Sequence, residues 1–299
     1  MIINGAQNEV RGKENQSCGS PAESARETPC IVIQPSKGLF SLDLGSIWHY
    51  RELLYFLVLR DIQVRYKQTV IGAGWAILQP LMTMVIFTVI FSTFAKIPSD
   101  GLPYPIFAYT ALLPWTYFAQ ALSSSGTSLV GNANLISKVY FPRLLIPLSS
   151  VLAPVVDFLL SFLVVLGLMV WYGIVPTWGM LALPLFLLVA VMTALAMGLW
   201  LAPLNVKYRD VRHTIPFLLQ IWMYASPVAY PVSLVPEQWR MLYGLNPMAG
   251  VIEGFRWALL GKTSPDFMVM AVSAVIVLTL LLGGIVYFKR MERTFADVV

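Results

Sequence analysis

The sequence predicts an all-α membrane protein. Six transmembrane helices follow an N-terminal amphipathic helix at the cytoplasmic interface; one cytoplasmic loop forms a short helix, and re-entrant helices lie on the outer side. Three observations carry this. Charged residues fill 12% of 299 positions and apolar ones 58%, whereas soluble domains carry about 25% charge, so an aqueous globular surface is excluded. Charge-free stretches recur at about the 20 residues that cross a ~30 Å hydrocarbon layer. Lys and Arg then fall mainly in alternate connections. Gly and Pro number 20 each without a period, which removes collagen-like and low-complexity chains.

Residues 1–45 are rich in Ser, Glu, Gly, Asn and Pro and read as a disordered cytosolic tail. The tail contains no apolar core of signal-peptide length. Cys18 and Cys30 match no metal or redox spacing and receive no role. In residues 46–67 charges recur through an apolar segment, and His49, Glu52, Arg60, Gln63 and Lys67 follow helical spacing broken by Phe56. This predicts a helix lying in the cytoplasmic interface; a frayed entry to the first span is the alternative.

The spans are placed at about 70–95, 104–125, 144–172, 177–202, 213–231 and 267–288 within a membrane domain of residues 68–299. Twelve basic residues fall on one side: Arg51, Arg60, Arg65, Lys67, Lys138, Arg143, Lys207, Arg209, Arg212, Lys289, Arg290 and Arg293. Lys96, Arg240, Arg256 and Lys262 fall on the other. The positive-inside rule therefore predicts that both termini are cytoplasmic.

Between spans two and three, Asn132 or Asn134 is placed to cap a short helix, and Pro142 disfavours helix at Phe141. This predicts a knob presenting Leu135, Ile136, Val139 and Tyr140 beside Lys138 and Arg143. It either docks into a partner's groove or packs on its own bundle. The next inner loop, with Lys207, Tyr208, Arg209 and Asp210, is compact and charged; Arg209 and Asp210 are expected to satisfy each other or cap helix ends. On the outer side, Asn246-Pro247 has the order of a helix start and Gly261 suits its end. The helix of about 247–260 puts Glu253 and Arg256 three apart on one face. It is too short and polar to span, so it reads as re-entrant or interfacial, or else as part of a surface loop. Asp157 is the one acidic residue within a predicted span. It faces a translocation path or dimer contact, or sits near enough to the interface to be hydrated.

Several runs resemble the permeases of ABC transporters that export polysaccharides, O-antigen and teichoic acid. Arg60-Asp61 with Arg65-Tyr66-Lys67, then Gly72-x-Gly74-Trp75 and Pro80, are similar to that family's entry signature. Asn134-Leu135-Ile136-x-Lys138-Val139-Tyr140-Phe141-Pro142-Arg143 resembles its coupling loop, and Asn205–Val211 its second inner loop. Ser226-Pro227-Val228-x-Tyr230-Pro231, Pro236, Asn246-Pro247 and Phe255-Arg256 are similar to its outer region. The resemblance covers about residues 45–290. It implies a homodimer in the bacterial cytoplasmic membrane, bound to two copies of an ATPase that holds ATP and Mg. The dimer is then a channel for a lipid-linked polysaccharide, with a cytoplasmic coupling helix and outer gate helices. No cofactor, metal or nucleic acid is implied for this chain. Gly261-Lys262-Thr263 is not a P-loop, because the Gly required five positions earlier is Arg256.

Sugar rings present apolar C–H faces that pack on the flat faces of aromatics, so Trp75, Tyr109, Trp115 and Tyr117 are candidate channel-lining residues. A secondary transporter would show repeated halves and ionisable midplane residues, and a membrane enzyme an inward His/Cys/Asp/Glu cluster; neither pattern is present. A teichoic-acid, capsular or small-molecule exporter remains open beside the O-antigen reading.

Overall fold

In the computed structural model, residues 44–67, 72–261 and 266–292 are described. The chain divides into residues 1–37 and 38–299, and every described residue belongs to the second unit. The expectations for the tail, for Lys262 and Thr263 and for Arg293 lie outside the described residues. Everything described is helix, turn or loop, without a strand.

α1 (Leu44–His49) and α2 (Arg51–Tyr66) form the first segment, so helix begins slightly before the expected residue 46. α3 (Gly74–Phe87) runs into a π-helical segment, Thr88–Phe94. α4 (Tyr104–Gly131) is followed by the short α5 (Ala133–Lys138). α6 (Leu145–Leu152) and α7 (Val155–Trp171) are two parts of one rod, broken at Pro154. A 3₁₀ turn at Trp178–Ala182 leads into α8 (Leu183–Lys207), and α9 (Val211–Ala225) follows. α10 (Glu237–Tyr243), α11 (Pro247–Leu260) and α12 (Phe267–Glu292) complete the chain.

Among the described residues, four helical segments are long and apolar enough to cross a membrane: Gly74–Phe94, Leu145–Trp171, Trp178–Lys207 and Phe267–Glu292. They correspond to expected spans one, three, four and six. α4 has 28 residues and is long enough, but its second half carries Gln120, Ser123, Ser124, Ser125 and Thr127. The reason is positional. Nineteen of its residues are buried, packed by α3, α7, α8, α9 and α11, so its surface meets protein and is released from the apolarity that lipid demands. α9 has 15 residues, about 22 Å of helix, and ends at Ala225 where the expected fifth span continued to 231.

The main core surrounds α4 and joins α3, α7, α8, α9 and α11. A second cluster gathers Leu57, Leu129, Ile136, Phe141, Leu145, Leu199 and Phe288. It unites α2, α5, the start of α6 and the ends of α4, α8 and α12 at what is here called the basic end. A third, around Val232, Ala249 and Val269, joins the α9–α10 connection to α11 and α12 at the far end.

Candidate functional site

A cavity of about 590 Å³ lies among α3, α4, α7 and the end of α9, with Arg65 and Tyr66 of α2 in its wall. Its lining repeats at helical spacing. α3 contributes Trp75, Gln79 and Thr83, and α4 contributes Thr116, Gln120, Ser123 and Ser124. These are residues three or four apart, hence one face of each helix. Trp115, Tyr117, Phe158 and Ser161 complete the wall. The Thr83 hydroxyl donates to Gln79 O at 2.9 Å and the Thr116 hydroxyl to Leu112 O at 2.8 Å, so both are satisfied locally.

Of the four candidate channel aromatics, Trp75, Trp115 and Tyr117 line this cavity. Trp75 is 54% exposed, whereas Trp115 and Tyr117 are almost wholly buried at its edge. Tyr109 lies fully buried in the core and is not among the lining residues. The polar stripes on α3 and α4 were missed. Their signal is in the sequence, as amides and hydroxyls at i, i+4 spacing inside apolar helices.

Asp157 is buried on α7 and accepts hydrogen bonds from the Arg65 guanidinium and the Tyr66 hydroxyl. Arg65 also reaches Ser124 Oγ at 3.5 Å. The intramembrane carboxylate is therefore paired across 92 residues, as burial of a charge requires. One turn earlier, Arg60 donates to its neighbour Asp61 at 2.8 Å, whose other oxygen accepts from Ser149 at 3.1 Å. α2 is thus pinned to α6 and α7 by two charged contacts; Lys67 stands at its C-cap.

At the basic end, α5 ends at Lys138, and Val139 turns extended ahead of Phe141-Pro142. Asn132 occupies the N-cap, but its side-chain amide donates back to Ser128 O at 2.8 Å and caps nothing. Asn134 and Lys138 are exposed; Val139 and Tyr140 are 51% and 74% exposed. Ile136 was expected on the outside and is instead buried with Phe141 in the basic-end cluster, with Leu135 packed against it. A single turn cannot show all its apolar residues to solvent while being anchored. Arg143 donates to the Glu292 carbonyl at 2.6 Å.

At the junction of α8 and α9, Lys207, Tyr208, Arg209 and Asp210 are all exposed. Lys207 lies over the Tyr208 ring at 5.1 Å. Asp210 sits at the N-cap of α9 without a side-chain cap bond, and no Arg209–Asp210 ion pair forms among the described residues. The expected mutual satisfaction is thus corrected: the start of α9 is closed by the Asp210 carbonyl, which accepts from His213 and Thr214 N–H.

At the far end, the Asn246 side chain accepts from Met248 N at 3.1 Å, and Gly261 ends α11 in the left-handed region at φ 61°. Glu253 and Arg256 pair at 3.6 Å, both buried. Arg256 donates to Val228 O at 3.0 Å and Tyr230 O at 3.3 Å, and its guanidinium lies 3.7 Å from the Phe107 ring centroid. Burial lowers Arg256 to about 10, against the pull of Glu253. Burial raises the Glu253 carboxyl, opposed by Arg256. Burial first, and then the Tyr230 hydroxyl 3.0 Å away, raise the Tyr243 phenol. Neither Glu253 nor Arg256 lines the cavity.

The chain thus combines apolar spanning helices, a polar and aromatic cavity, and an exposed turn at the basic end. Among known proteins it is 30% identical over 258 residues to the O-antigen export system permease protein RfbA of Myxococcus xanthus, covering 85% of this chain and 98% of that one. It is 27% identical over 253 residues to the protein of the same name in Klebsiella pneumoniae, covering 83% and 95%. Against the polysialic acid transport protein KpsM of Escherichia coli it is 25% identical over 251 residues, covering 79% and 92%. Residues 52–260 match the family described as ABC-2 type transporter, and the chain belongs to that family.

Proposed function

We propose that this chain is the transmembrane subunit of an ATP-driven exporter. Two copies form a channel that moves a lipid-linked polysaccharide of O-antigen type across the bacterial cytoplasmic membrane. The observation that carries the reading is the polar, aromatic cavity of a chain alignable almost end to end with an O-antigen export permease. Its rings offer faces to sugar C–H surfaces, and its hydroxyls and amides offer weak, exchangeable hydrogen bonds, so a polymer slides without deep binding.

Six spans then cross the bilayer: the four apolar segments, the protein-wrapped α4, and α9 continued by the loop to Tyr230. The basic end faces the cytoplasm, with both termini on that side, as the distribution of Lys and Arg requires. α2 lies at the cytoplasmic interface, and α10 and α11 are outer gate helices. ATP and Mg are bound by two copies of a separate ATPase, which docks on the exposed turn Asn134–Arg143 and the loop Lys207–Asp210. Hydrolysis moves that turn, and the bundle advances the polymer.

A capsular polyanion is the second reading, favoured by the polysialic acid transport relative. The charge balance of the cavity weighs against it: Arg65 is already neutralised by Asp157, leaving no surplus cation to hold an acidic polymer. Tyr140→Asp tests the docking role without disturbing the buried anchors Ile136 and Phe141. The complex reconstituted with its partner ATPase is expected to lose export at least tenfold while the ATPase retains turnover. Normal export would sink the coupling role, and failure to co-purify with any ATPase would sink the exporter reading.

A further inference from the structure

We propose that α12 carries motion from the turn at Asn134–Arg143 to the far-end helices, with Ser273 as its joint. This rests on the reading of that turn as the ATPase contact. At the basic end the Arg143 guanidinium donates to the Glu292 carbonyl, one of the last-turn acceptors a helix leaves open, so displacement of the turn is applied directly to the end of α12. The helix does not move alone. Trp200 of α8 donates to Leu280 O at 3.0 Å and stacks on Tyr287 at 4.9 Å. Gly284 lies so close to α8 that an added Cβ would sit 3.0 Å from Ala196 O. α8 and α12 are one body.

At the other end a hydroxyl bonds between helices, as Ser161 of α7 also does in donating to Ala76 O of α3 at 2.7 Å, and not within its own helix. Thr88, Thr193 and Thr279 each donate to the carbonyl four residues earlier in their own helix. Ser273 is buried and donates across, to Gly244 O at 2.9 Å and Asn246 O at 3.1 Å, while accepting from Gly250 N at 3.2 Å. Those backbone groups form the turn between α10 and α11 and the first turn of α11. A Cβ at Gly250 would lie 2.8 Å from the Ser273 Cβ and 3.0 Å from the Met270 Cα, so α11 and α12 approach closely there. Asn246 passes the tie onward through its side chain, accepting from Trp222 at 2.9 Å and donating to Ser226 at 2.9 Å. A 26-residue helix, about 39 Å long, thus has hydrogen-bonded joints at both ends and a rigid companion between. Ser273 is a positioning residue: it touches no polymer and sets where the far-end helices stand relative to the basic end.

The test uses the full chain with its ATPase in liposomes, with Cys18 and Cys30 replaced by Ser. A fluorescent probe is placed on Ser137→Cys of α5 or, in a separate sample, on Gln238→Cys of α10. Without further substitution both probes are expected to respond to ATP. In Ser273→Ala the Ser137 probe keeps its response, the Gln238 response shrinks at least fivefold, and export falls at least tenfold. ATP turnover per complex stays within twofold. Thr279→Ala, which removes a hydroxyl bonded only within α12, behaves as the parent. If Ser273→Ala leaves the Gln238 response and export intact, α12 is not the route, and the coupling reading stands. If the Ser137 probe is silent in the parent, both readings fall. Should Ser273→Ala fail to assemble, hydrogen exchange on the unsubstituted complex decides. Protection over Gly244–Gly250 and both ends of α12 changes together on adding ATP, and an unchanged Gly244–Gly250 overturns the proposal.

Discussion

Arg256 shows how much one side chain holds at the far end. It is buried, paired with Glu253, bonded to two carbonyls of the loop after α9, and seated on Phe107. A buried pair contributes little net stability over an apolar substitute, but removing one partner strands the other. Arg256→Met is therefore expected to cost about 3–5 kcal/mol near neutral pH. The sign of its pH dependence follows from Glu253. Burial already raises that carboxyl in the folded chain, and loss of the guanidinium raises it further. The folded state then binds a proton that the unfolded state gives up near pH ~4.3. Stability contributed by the protonated form is present below that value and lost as pH rises through the raised folded one. Thermal unfolding of the variant should thus be less impaired at pH 5 than at pH 7.5, and an equal deficit at both would count against the account. The sequence offered the i, i+3 spacing of this pair; it did not offer the two carbonyls or the ring, which come from residues 26, 28 and 149 positions away.

At the scale of elements, α2 and α7 are held together by Arg65, Tyr66 and Asp157. A double-mutant cycle on Arg65→Met and Asp157→Asn is expected to give a coupling of about 1–3 kcal/mol, read from unfolding of the purified complex. It is held below the fully buried limit because Arg65 keeps 23% of its side chain exposed. Strict additivity would show that the two act independently. Each single variant should leave α2 loose against the cavity wall, detectable as new protease sensitivity in residues 51–66. Helix boundaries at the far end were legible because caps are local: Asn246 closes α11 at one end and Gly261 at the other. The split of expected span three into α6 and α7 turns on Pro154, also visible in the sequence. The short reach of α9 was also signalled locally, since Pro227 disfavours helix at Ser226, which is extended; what the sequence did not show is that the following loop presents the Val228 and Tyr230 carbonyls to Arg256.

For the whole molecule, the decisive arrangement is that α4 stands in the centre and turns one polar stripe toward α3 and α7. Gln120→Trp fills the cavity from the middle of that stripe. Export is expected to fall at least tenfold, with assembly and ATP turnover per complex retained. Unchanged export of a long polymer would mean that the path lies elsewhere. The same centrality explains why α4 is less apolar than the four lipid-length segments: protein surrounds it, and Thr110, Thr116, Thr127 and Ser128 bond to its own backbone while Ser123 and Ser124 face the cavity.

Composition and charge placement by themselves determined the helical membrane class, four segments long and apolar enough to span, an N-terminal helical segment and the capped helix of residues 247–260. These follow from how many apolar residues a bilayer needs and from backbone groups satisfied within a few residues. Tertiary structure alone decided that Asp157 answers Arg65 and Tyr66, that Ile136 anchors the exposed turn, that Tyr109 belongs to the core while Trp75 borders the cavity, and that Ser273 joins α12 to the far end. Periodicity names the face of a helix on which a residue lies. Which neighbour that face meets depends on how helices far apart in sequence pack together.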